Sequence, residues 1–128
     1  MIVCQYAFAM LFLFAAVVQY NDPDPTRWMI VYGSAALVCI LATRSIALAR
    51  GFWLAPAFVA VVALLWAASI FLGIEHPLMP WRMFDEWEMK DVAVEETRET
   101  FGLLIVAGWM TMTAFFGSTG SHVSGRFR

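Results

Sequence analysis

The stretch FWLAPAFVAVVALLWAASIFLGI at residues 52–74 carries no charged side chain, and its reading decides the fold. A bilayer hydrocarbon core about 30 Å thick needs about 20 consecutive apolar residues in a helix. Residues 2–19 are likewise uncharged, and 28–43 and 101–117 are two shorter apolar runs, each borrowing a turn from its flanks. The chain of 128 residues is 62% hydrophobic and 14% charged, whereas a soluble domain has roughly a quarter of its residues charged. A soluble chain of this length would have to bury all four runs beneath almost no polar surface. The expected fold class is all-α: an integral membrane bundle of four transmembrane helices with a short interfacial segment between helices three and four. The spans are expected at about 2–20, 27–44, 52–74 and 98–117 in a single domain of residues 1–117. Residues 118–128 are expected to form a mobile polar tail. The first run lacks the basic start and clear cleavage pattern of a secretory signal, so it reads as retained. Cys4 and Cys39 lie in different runs and read as small hydrophobes.

Charge is distributed unevenly. All ten acidic residues fall on one side of the membrane under this topology. Asp22 and Asp24 lie in the first connection, and Glu75, Asp85, Glu86, Glu88, Asp91, Glu95, Glu96 and Glu99 lie in or beside the third. Arg27, Arg82, Lys90 and Arg98 share that side, while Arg44, Arg50, Arg126 and Arg128 face the other. The basic count ties. The two arginines of the short second connection, unaccompanied by acids, place both termini in the cytoplasm and turn the acidic face outward.

The apolar runs contain no Asp, Glu, Lys, Arg or His. Intramembrane ionisable residues mark proton relays and ion paths, so their absence argues against proton-coupled transport. His76 and His122 lie outside the runs, which argues against a haem held between helices by two histidines. No phosphate-cradling glycine loop or Ser-His-Asp arrangement is visible. The sequence requires no cofactor, and catalysis, if any, would have to use the outer face.

The connections carry the informative polar residues. Gln19-Tyr20-Asn21-Asp22-Pro23-Asp24-Pro25 stops the first helix with two alternating prolines. Asp24 before Pro25 suits a helix start, an acceptor at the N-cap and proline at the first helical position. Gly51 lets the chain reverse before the third helix. His76-Pro77-Leu78-Met79-Pro80 breaks that helix, after which Trp81, Phe84 and Trp87 recur every third residue among Arg82, Asp85, Glu86 and Glu88. That spacing suits an amphipathic segment lying in the membrane interface. Residues 95–99, Glu-Glu-Thr-Arg-Glu, then lead into the fourth helix. Trp28 and Trp53 near span ends read as interfacial anchors. Trp66 and Trp109 read as packing residues, and His76 as a solvated turn residue.

The turn at 19–25 with Trp28 and Tyr32, paired with 95–99 followed by Gly102-Leu103, resembles the transmembrane protein 220 family of bacteria and animals. That family shows an Asn-Asp-Pro-Asp turn at a helix end, a Trp and a Tyr in the next helix, and a Glu-rich segment leading into a later helix. The two blocks cover roughly a quarter of the chain. The region between Gly33 and Val94 matches only in hydropathy. The resemblance implies the fold and leaves activity open.

Three readings compete for Asn21, Asp22, Asp24, Trp28, Glu95, Glu96, Arg98 and Glu99. In the first they are structural: Asp24 caps helix two, the glutamates favour the positive N-terminal end of helix four, and Arg98 pairs with Asp22 or Asp24. In the second, Asp22, Asp24, Glu95 and Glu99 converge on a hard cation with Asn21, and His76 shifts the choice towards a transition metal. Glu95 and Glu99 are four apart and so share a helix face. In the third, the surface binds a partner through the Trp81–Trp87 loop. The expected function is a non-catalytic accessory or scaffolding subunit of a membrane complex, with outer-face cation binding as the alternative. A more distant alternative is a lipid-headgroup enzyme using Glu96, Glu99 or His76. The expected partners are the bilayer and other membrane subunits, through the apolar helix faces and that loop; nucleic acid is not expected.

Overall fold

The computed structural model describes residues 1–22, 24–44, 51–84 and 91–124, with the backbone alone at Asn21 and at 118–124. Among these residues every regular element is helical. They are α1 (Ile2–Val18), α2 (Pro25–Ala42), α3 (Leu54–Gly73) and α4 (Val92–Ser124), with 3-10 turns at Gln19–Asn21 and Pro80–Arg82. α2, α3 and the Val92–Gly117 part of α4 are long and apolar enough to cross a membrane. α1 is an apolar helix of 17 residues, prolonged by the 3-10 turn that follows it.

α1 packs chiefly on α2 and α3 on α4, while α2 touches both α3 and α4. The Tyr6 hydroxyl near the start of α1 lies 3.2 Å from Thr43 Oγ1 just beyond α2. Gly117 of α4 lies against Trp53, which precedes α3. Neighbouring helices therefore run antiparallel, with the first and third connections at one end of the bundle. The second connection shares the opposite end with the N-terminus, and there Gly51, at φ +85°, takes the left-handed conformation that reverses the chain.

On α3 the core face is built from small side chains. The buried residues of α3 are Pro56, Ala60, Ala63 and Ala67, spaced by three or four and therefore on one face. Pro56 falls in the first helical turn, where its missing N–H removes no helical bond. Lipid gives no hydrophobic drive for helices to associate, so close approach over small residues takes its place. α4 packs on α3 and contributes Leu103, Val106, Ala107 and Met110 to the same buried core. Large apolar side chains point outward instead, among them Val3, Met10 and Phe14 on α1 and Phe58, Leu65 and Leu72 on α3. Threonines on α4 return their hydroxyls to the helix: Thr97 donates to the Ala93 carbonyl, Thr100 to Glu96, Thr111 to Ala107 and Thr113 to Trp109. A hydroxyl satisfied by the carbonyl four residues back can sit in an apolar span.

α4 departs from expectation at its C-terminal end. Its start at Val92 agrees with a polar helical run leading into the span, but the helix runs for 33 residues to Ser124, so residues 118–124 continue the helix instead of forming a loose tail. No proline interrupts the stretch, and extending a formed helix adds one hydrogen bond per residue ordered. At about 1.5 Å per residue such a helix is about 50 Å long, more than a hydrocarbon core of about 30 Å, so it projects from the bilayer. Arg50, Asp85, Glu86, Trp87, Glu88, Lys90, Arg126 and Arg128 lie outside the described residues.

Candidate functional site

At the end shared by the first and third connections, the acidic residues approach one another around the first turns of α4. The chain leaves α1 through the 3-10 turn, and Asp22 Oδ1 accepts the backbone N–H of Asp24 at 3.0 Å. This side-chain turn braces the entry to α2. Asp24 does stand at the N-cap position with Pro25 behind it, yet its side chain makes no capping bond. It reaches Arg27 instead, at 3.4 Å on the surface. The expected acceptor is therefore one aspartate too late: Asp22 does the local bonding, because an aspartate readily accepts from the backbone two residues on.

The N-terminus of α4 is capped by a residue that the sequence reading did not single out. Asp91 Oδ1 accepts the Ala93 N–H at 3.1 Å, and Asp91 Oδ2 accepts from Arg82 at 2.9 Å. Its signal was present, an aspartate directly before the apolar Val92. The third connection folds back onto these turns. Thr97 Oγ1 accepts the Met79 N–H at 3.0 Å, and Arg98 Nε donates to the Met83 carbonyl at 2.6 Å. Arg98 thus serves the third connection. The ion pairs between described residues are Arg27–Asp24 and Arg82–Asp91, so the expected partnership of Arg98 with Asp22 or Asp24 is not formed.

Towards the membrane, the aromatic residues of α2 meet the same face of α4. Trp28 is buried, stacked on Trp66 at 4.8 Å and on Tyr32 at 6.0 Å. Its indole lies beside the Glu99 carboxylate. The expectation of Trp28 as an exposed interfacial anchor is corrected accordingly; its position one turn inside α2 turns it towards the bundle, whereas Trp53 is exposed as an anchor would be. Tyr32 reaches Gly102 so closely that a Cβ there would collide with its hydroxyl. Glu99 also senses the charges of Glu95, Asp22 and Glu96. Asp22, Glu95, Glu96 and Glu99 therefore form one electrostatic group, with Glu99 innermost beside Trp28. One carboxylate oxygen of Glu96 is buried without a hydrogen-bond partner among the described residues.

The metal expectation finds less support in this geometry. Among the described residues, no three His, Cys, Asp or Glu side chains gather closely enough to hold a metal ion. His76 is exposed in the turn after α3, Cys4 and Cys39 are both free thiols, and Asp24 is turned towards Arg27.

A second polar cluster lies deep in the bundle and was not read from the sequence. Gln5, 2% exposed, donates to Thr113 Oγ1 at 3.0 Å and accepts from Trp109 Nε1 at 3.2 Å. Phe8 stacks on Trp109 with centroids 3.8 Å apart, which agrees with the packing role expected of that tryptophan. The signal for Gln5 was its amide within an otherwise apolar run.

Four antiparallel helices of largely apolar residues, many with large apolar side chains turned outward, define an integral, multi-pass helical membrane protein. The chain matches the family model described as Transmembrane family 220, helix, over residues 11–115, and it belongs to that family. The match includes the region between Gly33 and Val94 that resembled the family only in hydropathy. No solved structure matches the chain.

Proposed function

We propose that this protein is a non-catalytic accessory or scaffolding subunit of a membrane complex. The observation that carries the reading is the use made of polar groups at the acidic end. Asp22, Asp91, Arg82, Thr97 and Arg98 are engaged in bonds that hold the first and third connections to the helices. Groups committed to backbone in this way suit a rigid docking platform better than a site that must move protons. α3 supports the same reading, since only 22% of its apolar window is buried within the chain. Its outward face, with Phe58 and Leu65, is available to lipid and to the helices of a partner subunit. The termini lie in the cytoplasm and the acidic end faces outward.

Native mass spectrometry of the full chain extracted from its own membranes tests the proposal. A defined mass above that of the chain alone is expected, lost on Phe58→Ala with Leu65→Ala. A chain carrying only lipid overturns the subunit role. Orientation is tested by impermeant thiol labelling of Asp24→Cys and Arg44→Cys in sealed membranes, where only the first should react from outside.

A second reading, outer-face cation binding, rests on the mutual proximity of Asp22, Glu95, Glu96 and Glu99. Like charges so placed favour a counter-ion. An ion bound by the folded form alone raises its melting temperature as concentration rises. Melting series in calcium, magnesium, manganese and zinc against chelator, repeated for Asp22→Asn and Glu99→Gln, separate the readings. An indifferent melting temperature removes the cation.

A further inference from the structure

The level at which the third connection crosses α4 can be read from its hydrogen bonds. Met79 is tied to Thr97 and Met83 to Arg98, three to four residues before Phe101, where the uncharged part of α4 begins. At about 1.5 Å per residue, that places the connection about 5–6 Å beyond the apolar core. This is the depth of lipid headgroups and the upper acyl chain, the layer in which amphipathic segments lie and aromatic belts form.

The side chains that the connection leaves uncovered fit that layer. Trp81 is 72% exposed and Phe84 is 91% exposed, whereas Arg82 and Met83 between them, and Met79 before them, are tied inward. Arg82 binds Asp91, and the Met83 carbonyl and Met79 N–H are held by α4. Phe71 and Leu72, on the last turn of α3, are exposed as well. From the level of the connection and the exposure of its aromatic side chains we infer that residues 78–84 lie in the plane of the membrane interface, with Trp81 and Phe84 inserted among lipid headgroups. The occupant of the patch is the bilayer. The segment acts as an anchor that pins the polar N-terminal turns of α4 at the membrane surface. In this arrangement the acidic group is held beside the headgroups instead of standing free in water.

The inference does not depend on the proposed subunit role, and its test can fail separately. Full-length protein carrying Trp81→Cys or Phe84→Cys, in a Cys4→Ser background, is spin-labelled and placed in phosphatidylcholine nanodiscs. Collision rates are measured with oxygen, which concentrates in lipid, and with a water-soluble nickel chelate. Labels at Asp24→Cys and Leu65→Cys supply the aqueous and mid-span references, and the background protein gives the contribution of buried Cys39. Labels at 81 and 84 should show an oxygen-to-nickel ratio shifted above the Asp24 reference and below the Leu65 reference. A ratio equal to that at Asp24 puts the connection in water and overturns the inference. Low access to both quenchers means the patch is covered by protein, a second copy or a partner, and overturns it as well. Unlabelled wild-type protein offers an independent readout: indole fluorescence quenched by lipids brominated near the headgroup should lose part of that quenching in Trp81→Phe. Unchanged quenching counts against the anchor even if a labelled variant misfolds.

Discussion

The two polar clusters of this protein solve the same problem in opposite ways. Gln5, Trp109 and Thr113 meet inside the bundle with no formal charge, and each donor among them finds an acceptor in protein. Around the first turns of α4, by contrast, the polar groups are ionisable: Asp91 accepts from Arg82 and from the Ala93 backbone, Arg98 donates to the Met83 carbonyl, and all three stand where water and headgroups can solvate what remains. The contrast follows from the surrounding medium. Lipid cannot satisfy an unpaired polar group, so the interior admits only neutral groups that close on one another. At the surface an aspartate is a better cap than a neutral residue, because the exposed amides of a helix N-terminus attract negative charge.

Neither cluster is expected to set the stability of the fold; packing does. Leu103→Ala removes a fully buried side chain from the core of the bundle and should cost about 2–5 kcal/mol, as core truncations do. Reversible unfolding in bicelles or mixed detergent measures it. A loss no larger than those of the polar variants would reverse the ranking of packing over bonding.

Between the two clusters lies the Tyr32–Gly102 contact. Gly102→Ala should cost about 1–3 kcal/mol through overpacking, and Tyr32→Phe in the same chain should recover part of it, since the hydroxyl is the colliding atom. Full additivity of the two changes would show that α2 and α4 do not meet there.

The next pair sharpens the comparison directly. Asp91→Ala deletes both the cap of α4 and the partner of Arg82, and should cost about 1 kcal/mol, up to about 2. Gln5→Leu should cost less, about 0.6 kcal/mol, because a helix unfolded within lipid finds substitute partners for its polar groups. Adding Trp109→Phe and Thr113→Val to Gln5→Leu should bring little further loss from hydrogen bonding, since no donor is then left without an acceptor. If Gln5→Leu exceeds Asp91→Ala in the same assay, the interior clasp is the stronger of the two.

The smallest effect is expected at Arg27→Ala. Both partners of the Arg27–Asp24 pair are well exposed, and such pairs contribute about 0–1 kcal/mol. A shift in midpoint beyond experimental error would give the first connection a weight that its exposure does not suggest.

Much of the architecture was legible because the bilayer imposes a simple rule. Uncharged runs near 20 residues long must be helices, and four of them alternating in direction put every acid at one end. Asp22, Asp24, Pro25, Gly51 and the 95–99 segment could be placed at helix ends from local chemistry alone. The family resemblance was carried by that turn and that segment, and its match over residues 11–115 agrees with it. Which side chains meet was another matter. Asp24 stands at the cap position and turns away from it, Arg98 binds Met83 in place of the first connection, and Trp28 packs inward. Each outcome depends on which face of a helix its neighbour covers, and hydropathy alone carries no rotational information when every face is apolar. The pairing of Gln5 with Trp109, more than a hundred residues away along the chain, arises only when α1 and α4 are side by side. The sequence by itself therefore determined the spans, their alternation and the acidic end, because those follow from the cost of placing charge and open backbone in lipid. Only the tertiary structure decided the rotation of each helix, and with it which polar groups pair, because that depends on small residues such as Ala63 and Gly102 letting particular faces approach.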